Sequence, residues 1–306
     1  MIDIYHKSIT DEKLVRTERF VPGSWIFVEK PDEEELHRLA DTFDLDDGLL
    51  KDGVDQYEVP RMEVDGEAIY VYTRVPHQEG GVVTTTPVLV ILAPDLFMTV
   101  SAAPLPLLRK IVEKSGEVHS TQKITMLIKV FSEMVSSYNG VLTDIRKRVR
   151  GASSSIENIS NKEIAQFVSF ENVMNDFLSA LIPTGSIISN LLSGKFFDLR
   201  EEDHELVEDL FLGIGQLIEL SKSTLKTTVN IREAYSTIMT NNLNRVIKIL
   251  TVLTIVLTIP MMISGFFGMN VAIPFSDSPY GFWVIFTISI AISASLFYFL
   301  NKNKWL

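Results

Sequence analysis

The chain of 306 residues contains no cysteine, which excludes disulfides and thiolate metal sites. Its histidines are few and scattered, and no two stand at a spacing that would let them share a metal ion: His6, His37, His77, His119 and His204. A zinc enzyme is therefore not expected. We also find no nucleophile–base motif, no Gly-rich phosphate loop and no metal cluster, so an enzyme is the least favoured class of protein.

Charge is scarce at the end of the chain. After residue 244 the only charged side chains are Arg245, Lys248, Asp277, Lys302 and Lys304, a net charge of +3. The first 244 residues hold 24 basic and 38 acidic side chains, a net charge of −14. A body this acidic argues against nucleic acid as a partner. It fits a surface that concentrates cations, and equally an ordinary acidic soluble domain.

Two apolar runs fill the region that lacks charge. Residues 249–269 and 282–300 contain no charged side chain, and about 20 such residues cross the roughly 30 Å of a bilayer core. We predict a first span at about 246–269, a loop at 270–281 and a second span at about 282–301. The loop has no Lys or Arg, whereas basic residues flank the other ends of both spans. The positive-inside rule then predicts a multi-pass protein of the cell membrane with both termini in the cytoplasm.

The first part of the chain shows strand and turn signals. Residues 24–30, 66–76 and 86–101 are rich in β-branched and aromatic residues, and Pro94-Asp95 predicts a hairpin within the third stretch. Residues 32–43 carry acids in their first turn, as helices do. We therefore predict a cytoplasmic α/β domain over residues 1–118.

Residues 119–244 have helical patterns and form the predicted stalk region. We expect helices at 121–150 and 160–192, the latter interrupted at Pro183, and then one helix of about 70 residues from near Phe196 to Met269. Leu206, Leu210, Ile214 and Leu217 recur at the helix period in this last helix. The sequence IRKRVR at 145–150 is interpreted as a solvated or acid-pairing face. A helix this long must pack on neighbours, so we expect an oligomer; residues 245–306 form the predicted transmembrane pore domain.

The first span carries a stripe of polar and small residues at alternating spacings of three and four: Asn244, Ile247, Thr251, Thr254, Thr258, Met261 and Gly265. Such a stripe favours a helix–helix contact or a water-lined path, and the pattern leaves both open. Pro260 adds weight to the path, because the carbonyl of Val256 loses its helical partner and must find water, an ion or another helix. Two spans cannot enclose a pore, so a channel requires several subunits. No acid lies in either span, which suits an ion that keeps its water, such as Mg²⁺.

The end of the first span carries a motif. Gly268-Met269-Asn270, followed by a short loop, a second span and the tail KNKWL, resembles the signature of the CorA family of magnesium transporters. The acidic α/β body and the long stalk helix agree with this resemblance. It implies a homopentameric funnel that mediates Mg²⁺ influx and is gated by cytoplasmic Mg²⁺, with Co²⁺ and Ni²⁺ as further permeants.

The resemblance also implies roles for individual residues. Asn270 would form a ring at the outer mouth that binds hydrated Mg²⁺, with Gly268 and Met269 shaping the turn. The implied pore-lining positions are Asn244, Ile247, Leu250, Thr254, Thr258, Met261 and Gly265. They match the stripe with two differences: Leu250 is added, and Thr251, which comes from helical spacing alone, is not among them. Ile247 and Leu250 would form a hydrophobic constriction that gates by dewetting. The implied regulatory Mg²⁺ ligands are Asp52 and Asp209, and the basic tail supplies an inner ring of Lys302 and Lys304.

Two alternatives remain beside a Mg²⁺ channel. One is a zinc transporter of the same superfamily, a branch that replaces the methionine of the motif and that Met269 therefore argues against. The other is a membrane-anchored sensor or scaffold that conducts nothing, in which the threonine stripe serves only to pack helices. The loop after the motif has Asp277 as its single acid, whereas many family members carry an acidic stretch there.

Overall fold

The computed structural model describes residues 1–8, 11, 13–113, 119–153, 160–196, 199–269 and 279–303. Its strands are β1 (Ile2–His6), β2 (Val15–Thr17), β3 (Ser24–Glu29), β4 (Arg61–Asp65), β5 (Ala68–Glu79), β6 (Val82–Ala93) and β7 (Leu96–Ser101). Its helices are α1 (Glu33–Phe43), α2 (Asp47–Asp52), α3 (Pro106–Glu113), α4 (Lys123–Ser153), α5 (Asn161–Leu192), α6 (Glu201–Phe267) and α7 (Gly281–Lys302).

The chain divides into two compact units, Met1–Arg232 and Glu233–Leu306. The first unit holds all the described strands, helices α1 to α5 and the first part of α6, and the second holds the rest of α6 together with α7. The finer division into residues 1–118, 119–244 and 245–306 stays a prediction.

The strands form one mixed sheet in the order β2-β1-β3-β7-β6-β5-β4. Neighbouring strands are antiparallel except for β3 and β7, which run parallel with Ile26 opposite Met98. Ala93 pairs with Leu96 where β6 turns into β7, so the predicted hairpin at Pro94-Asp95 is confirmed. The proline fits there because it stands outside the ladder and its missing N–H costs no strand hydrogen bond.

Helices cover both faces of the sheet. On one face α1 and α2 enclose an apolar core with the strands, to which Val28, Leu36, Leu50, Tyr70 and Leu89 belong. The predicted helix at 32–43 is confirmed, and it begins with a capping box between Asp32 and Glu35. On the other face α4 and α5 approach β5, where the Thr73 hydroxyl lies 3.3 Å from both the Met134 sulfur and the Thr184 hydroxyl.

Helix α5 contradicts one prediction. It runs without a break from Asn161 to Leu192 with Pro183 inside it, so the predicted interruption is wrong. The residues around the proline are buried, including Ala180, Leu181 and Ile187, and the Thr184 hydroxyl donates to the Ala180 carbonyl at 2.8 Å. Packing on the sheet thus holds the helix together at a position where an isolated peptide would break.

Helix α6 confirms the predicted long helix, with 67 residues. Within the first unit its buried positions follow spacings of four and three: Asp203, Val207, Leu210, Ile214, Leu217, Ser221, Thr224, Thr228 and Ile231. Leu206, predicted on this face, is 46% exposed, and Val207 is buried in its place. The prediction erred by one position because both residues fit a three-or-four spacing to Leu210.

Candidate ion-conducting site

The C-terminal part of α6 and the whole of α7 are long and apolar enough to cross a membrane. Both lie where the apolar runs of the sequence predict them. Little of the most apolar 18-residue stretch of either helix is buried within a single chain, as expected for stretches that meet lipid or other copies of the protein.

Small and β-branched residues form the contact between these two helices. Ser289 and Ser293 on α7 are 5% and 6% exposed, and Val252 on α6 is 2% exposed. Two serines four residues apart leave room for the backbones of membrane helices to approach closely. The Ser293 hydroxyl donates to the Val256 carbonyl at 3.3 Å, so a hydrogen bond crosses this contact, which we call the hairpin seam (Val252, Val256, Ser289, Ser293).

The hydrogen bond from Ser293 gives the Val256 carbonyl the partner that Pro260 takes away. The proline removes the N–H that would have bonded the Val256 carbonyl within the helix, and the carbonyl finds its donor on α7 instead. Of the three partners that the sequence allowed, the structure has the neighbouring helix. Pro260 therefore supports the packing of the hairpin, and the Val256 carbonyl is not an argument for a water-lined path.

The threonines of the stripe form their hydrogen bonds within α6 and not across the hairpin seam. The hydroxyls of Thr251, Thr254 and Thr258 donate to the carbonyls of Ile247, Leu250 and Thr254, four residues back, at 2.8, 2.9 and 2.7 Å. All three side chains are exposed. Since each hydroxyl proton is used within the helix, the oxygen presents only lone pairs to its surroundings. These oxygens can accept hydrogen bonds, as the outward-pointing hydrogens of a cation's water shell require.

The stripe lies on the side of α6 that the hairpin leaves uncovered. Counted at 3.6 residues per turn, its centre is about 150° around the helix from Val252 and Val256. The other predicted pore-lining residues, Asn244, Ile247, Leu250, Met261 and Gly265, are exposed as well. Exposure alone does not single them out, because most of α6 in the second unit is exposed. What distinguishes the stripe is its aligned acceptor oxygens and its position away from the seam.

The predicted filter motif follows the end of α6 directly. The helix ends at Phe267, the Gly268 N–H donates to the Ser264 carbonyl at 3.0 Å, and the Met269 N–H donates to the Phe266 carbonyl at 3.3 Å. The chain thus begins to leave the helix at the first residues of the motif. Asn270 lies outside the described residues, as does Lys304, whereas Lys302 is the exposed last residue of α7.

The two predicted regulatory aspartates stand in the first unit. Asp52 is the last residue of α2, and its side chain is 44% exposed and accepts a hydrogen bond from Arg61 Nη2 at 2.9 Å. Asp209 is exposed on α6. Within the described ranges, no group of three or more His, Asp or Glu side chains is arranged to hold a metal ion. A single copy of the described chain therefore offers these aspartates no complete set of protein ligands.

Sequence reasoning missed Arg61, which holds the surroundings of Asp52 together. Its guanidinium pairs with Asp52, with Glu58 and with Glu63, the last at 2.7 Å, and lies 4.1 Å from the centre of the Tyr72 ring. Burial favours the neutral form of Arg61, but the hydrogen bonds to Glu63, Asp52 and Glu58 outweigh it and raise the pKa of the guanidinium above its ordinary value. The only signal in the sequence was a single arginine amid the acids of 52–63.

Comparison with known proteins agrees with this architecture. The cobalt/magnesium transport protein CorA of Methanocaldococcus jannaschii is 24% identical over 294 residues, which cover 92% of this chain and 91% of that protein. The zinc transport protein ZntB of Pectobacterium atrosepticum is 24% identical over 128 residues, 41% of this chain and 39% of that protein.

The solved structure of the complete CorA magnesium transporter from M. jannaschii superposes with a TM-score of 0.86 at 21% identity, over 100% of this chain and 99% of that one. The predicted fold class, an α/β domain followed by long helices and a C-terminal two-helix hairpin, is confirmed. The model of the family described as CorA-like Mg²⁺ transporter protein matches residues 23–302, and the chain therefore belongs to the CorA-like Mg²⁺ transporter family.

Proposed function

We propose that this chain forms a homopentameric channel that carries Mg²⁺ into the cell across the cell membrane. The observation that carries the proposal is the threonine stripe: three aligned hydroxyl oxygens on the uncovered side of a membrane-length helix that ends at the Gly-Met-Asn motif. Membership of the CorA-like Mg²⁺ transporter family supports Mg²⁺ as the transported ion. We include Co²⁺ and Ni²⁺ as further permeants.

The chemistry of the stripe suits a hydrated divalent cation. Mg²⁺ gives up its water reluctantly, so it passes most easily where the wall binds the water shell rather than the ion. Thr251, Thr254 and Thr258 supply acceptors for that shell, and five copies would form three rings of them. Neither span has a carboxylate, so no site in the membrane traps the ion by charge. Ile247 and Leu250, on the cytoplasmic side of the stripe, would close the path by excluding water.

Residues next to the two spans would form the outer and inner ends of the ion path. Asn270 would place a ring of neutral amides at the outer mouth, held by the turn through Gly268 and Met269. Lys302 and Lys304 would form a basic ring at the inner side, where both termini lie. Asp52 and Asp209 would bind regulatory Mg²⁺ between neighbouring copies. The pair of Asp52 with Arg61 supports a regulated site, because an incoming cation must compete with a guanidinium already in place.

The test replaces the amide at the mouth. Asn270→Ala should abolish Mg²⁺ uptake into vesicles that contain the purified protein, while the oligomer stays intact. Asn303→Ala is the matched control, since Asn303 is an exposed amide just after α7, and it should leave uptake unchanged. Uptake at the normal rate in the Asn270→Ala protein would refute the proposed filter.

Zn²⁺ transport is the second candidate, and the similarity to ZntB over 128 residues is the observation in its favour. The same vesicles loaded with a zinc indicator decide between the ions. A Zn²⁺ flux that exceeds the Mg²⁺ flux at equal concentration would replace the first proposal with the second. A protein that conducts neither ion would leave the membrane-anchored sensor or scaffold.

A further inference from the structure

Three carboxylates share the guanidinium of Arg61, and each is bonded by a different nitrogen. Nη2 donates to Asp52 at 2.9 Å, Nε donates to Glu63 at 2.7 Å, and Nη1 donates to Glu58. Three negative charges and one positive charge give this group, here called the Arg61 cluster (Asp52, Glu58, Arg61, Glu63), a net charge of −2. The whole cluster lies in the first unit. One arginine therefore does not neutralise it, and it attracts further cations.

Arg61 can give up Asp52 without losing its other partners. Its Nη1 and Nε atoms stay bonded to Glu58 and Glu63, which are three and two residues away in the chain. The guanidinium also lies 4.1 Å from the centre of the Tyr72 ring, an attraction in which Asp52 takes no part. Release of Asp52 thus leaves the guanidinium paired and in place.

The backbone that carries Asp52 is held from two sides. The Tyr72 hydroxyl donates to the Leu49 carbonyl of the same helix, α2, at 2.8 Å. Gly53, the residue after Asp52, is pressed against β6, where an added Cβ would lie 2.6 Å from Cδ2 of Leu89. Asp52 therefore exchanges one cationic partner for another by a movement of its side chain, while its backbone stays where it is.

A second arginine fixes the loop that carries Glu58. Arg74 Nη1 donates to the carbonyls of Gln56 and Glu58, both at 2.9 Å, and its other nitrogens bond strand β6. The Glu58 side chain is only 15% exposed. Glu58 is thus a permanent partner that keeps Arg61 beside the site when another carboxylate is withdrawn.

The Asp52 carboxylate suits Mg²⁺, because this ion binds through one or two carboxylates and keeps several of its waters. Its side chain is 44% exposed, so a hydrated ion can reach it. Arg61 opposes that ion in two ways: it occupies Oδ2 of Asp52, and its positive charge repels a second cation at short distance. Given the regulatory role that we propose for Asp52, we infer that Arg61 is a tethered competitor that sets the Mg²⁺ concentration at which Asp52 binds the ion.

The test measures hydrogen exchange of the full-length protein in detergent micelles while Mg²⁺ is raised at constant ionic strength. The N–H groups of Gly53, Val54 and Asp55 donate to carbonyls of residues 49–52 and report on the surroundings of Asp52. Mg²⁺ bound at Asp52 should slow their exchange, and the midpoint of this change gives the affinity. In Arg61→Gln the midpoint should fall about three- to ten-fold.

Two variants serve as controls. Arg61→Lys keeps the positive charge but not the planar guanidinium, and its midpoint should stay within about two-fold of that of the unmodified protein. Arg16→Gln also removes one positive charge from an arginine that pairs with an aspartate, Asp3, and it should leave the midpoint unchanged. Exchange within β3 reports on folding and should be the same in every variant.

An unchanged midpoint in Arg61→Gln would overturn the competition. So would an equal fall in Arg61→Lys, because the arrangement of the folded cluster, and not its positive charge, would then control the ion. Asp52→Asn tests the regulatory role itself and should abolish the slowing by Mg²⁺. Slowing that persists in this variant, or that is absent from the unmodified protein, would refute the role of Asp52 and with it the competition. Loss of Mg²⁺ flux with these binding effects retained would count against the channel alone.

Discussion

The hydrogen bond from Ser293 to the Val256 carbonyl exists because Pro260 has removed the helical donor, and this dependence makes a sharp prediction. Ser293→Ala leaves the carbonyl without a partner inside the membrane. Hydrogen bonds between membrane helices contribute about 0.6 kcal/mol on average and up to about 1.7 kcal/mol. The 3.3 Å distance is long, so we expect a loss in the lower half of that range.

Pro260→Ala restores an N–H at position 260, which can bond the Val256 carbonyl within α6. In that background Ser293→Ala should cost little, and the coupling between the two changes should be about 0.5–1 kcal/mol. The assay is the free energy of unfolding of the four proteins in mixed micelles of increasing denaturing detergent. Thr287→Ala is the control, since that hydroxyl bonds the Trp283 carbonyl of its own helix. An equal cost of Ser293→Ala in both backgrounds would refute the reasoning.

Three further predictions follow from individual contacts. Thr254→Val keeps the shape of the side chain but removes an acceptor oxygen, so Mg²⁺ flux should fall about ten-fold, whereas Thr287→Val on α7 should leave it unchanged. Leu250→Ser should raise the leak of Mg²⁺ at high cytoplasmic Mg²⁺, because a polar ring no longer excludes water; an unaltered leak would contradict the predicted constriction. Tyr138→Phe removes a buried donor to the Arg74 carbonyl and should lower the free energy of unfolding of the first unit by about 1–2 kcal/mol, measured by urea denaturation.

The sequence predicted those parts of the fold in which one local signal dominates. The hairpin at Pro94-Asp95, the acid-rich start of α1 and the length of α6 all follow from neighbouring residues, and the structure has them. Pro183 was wrongly taken as a helix break because the burial of Ala180 and Leu181 outweighs the tendency of proline to interrupt a helix. A short window of sequence does not reveal that burial.

In the candidate ion-conducting site, too, the sequence predicted local patterns but not contacts between distant residues. Helical spacing alone found the threonine stripe and placed it on one face of α6. It could not find Ser293 as the donor to Val256, because that bond joins residues 37 positions apart on two helices. Arg61 was missed for a related reason: Glu58 and Glu63 are close to it in sequence, but only the fold adds Asp52 of α2 to the group.

Mg²⁺ flux through the purified, reconstituted protein, with the mass of the oligomer measured on the same sample, decides whether this chain forms a magnesium channel. We expect Mg²⁺ uptake well above that of empty vesicles, by a particle of five chains of 34.5 kDa each. A monomer or dimer that moves no Mg²⁺ would contradict this expectation.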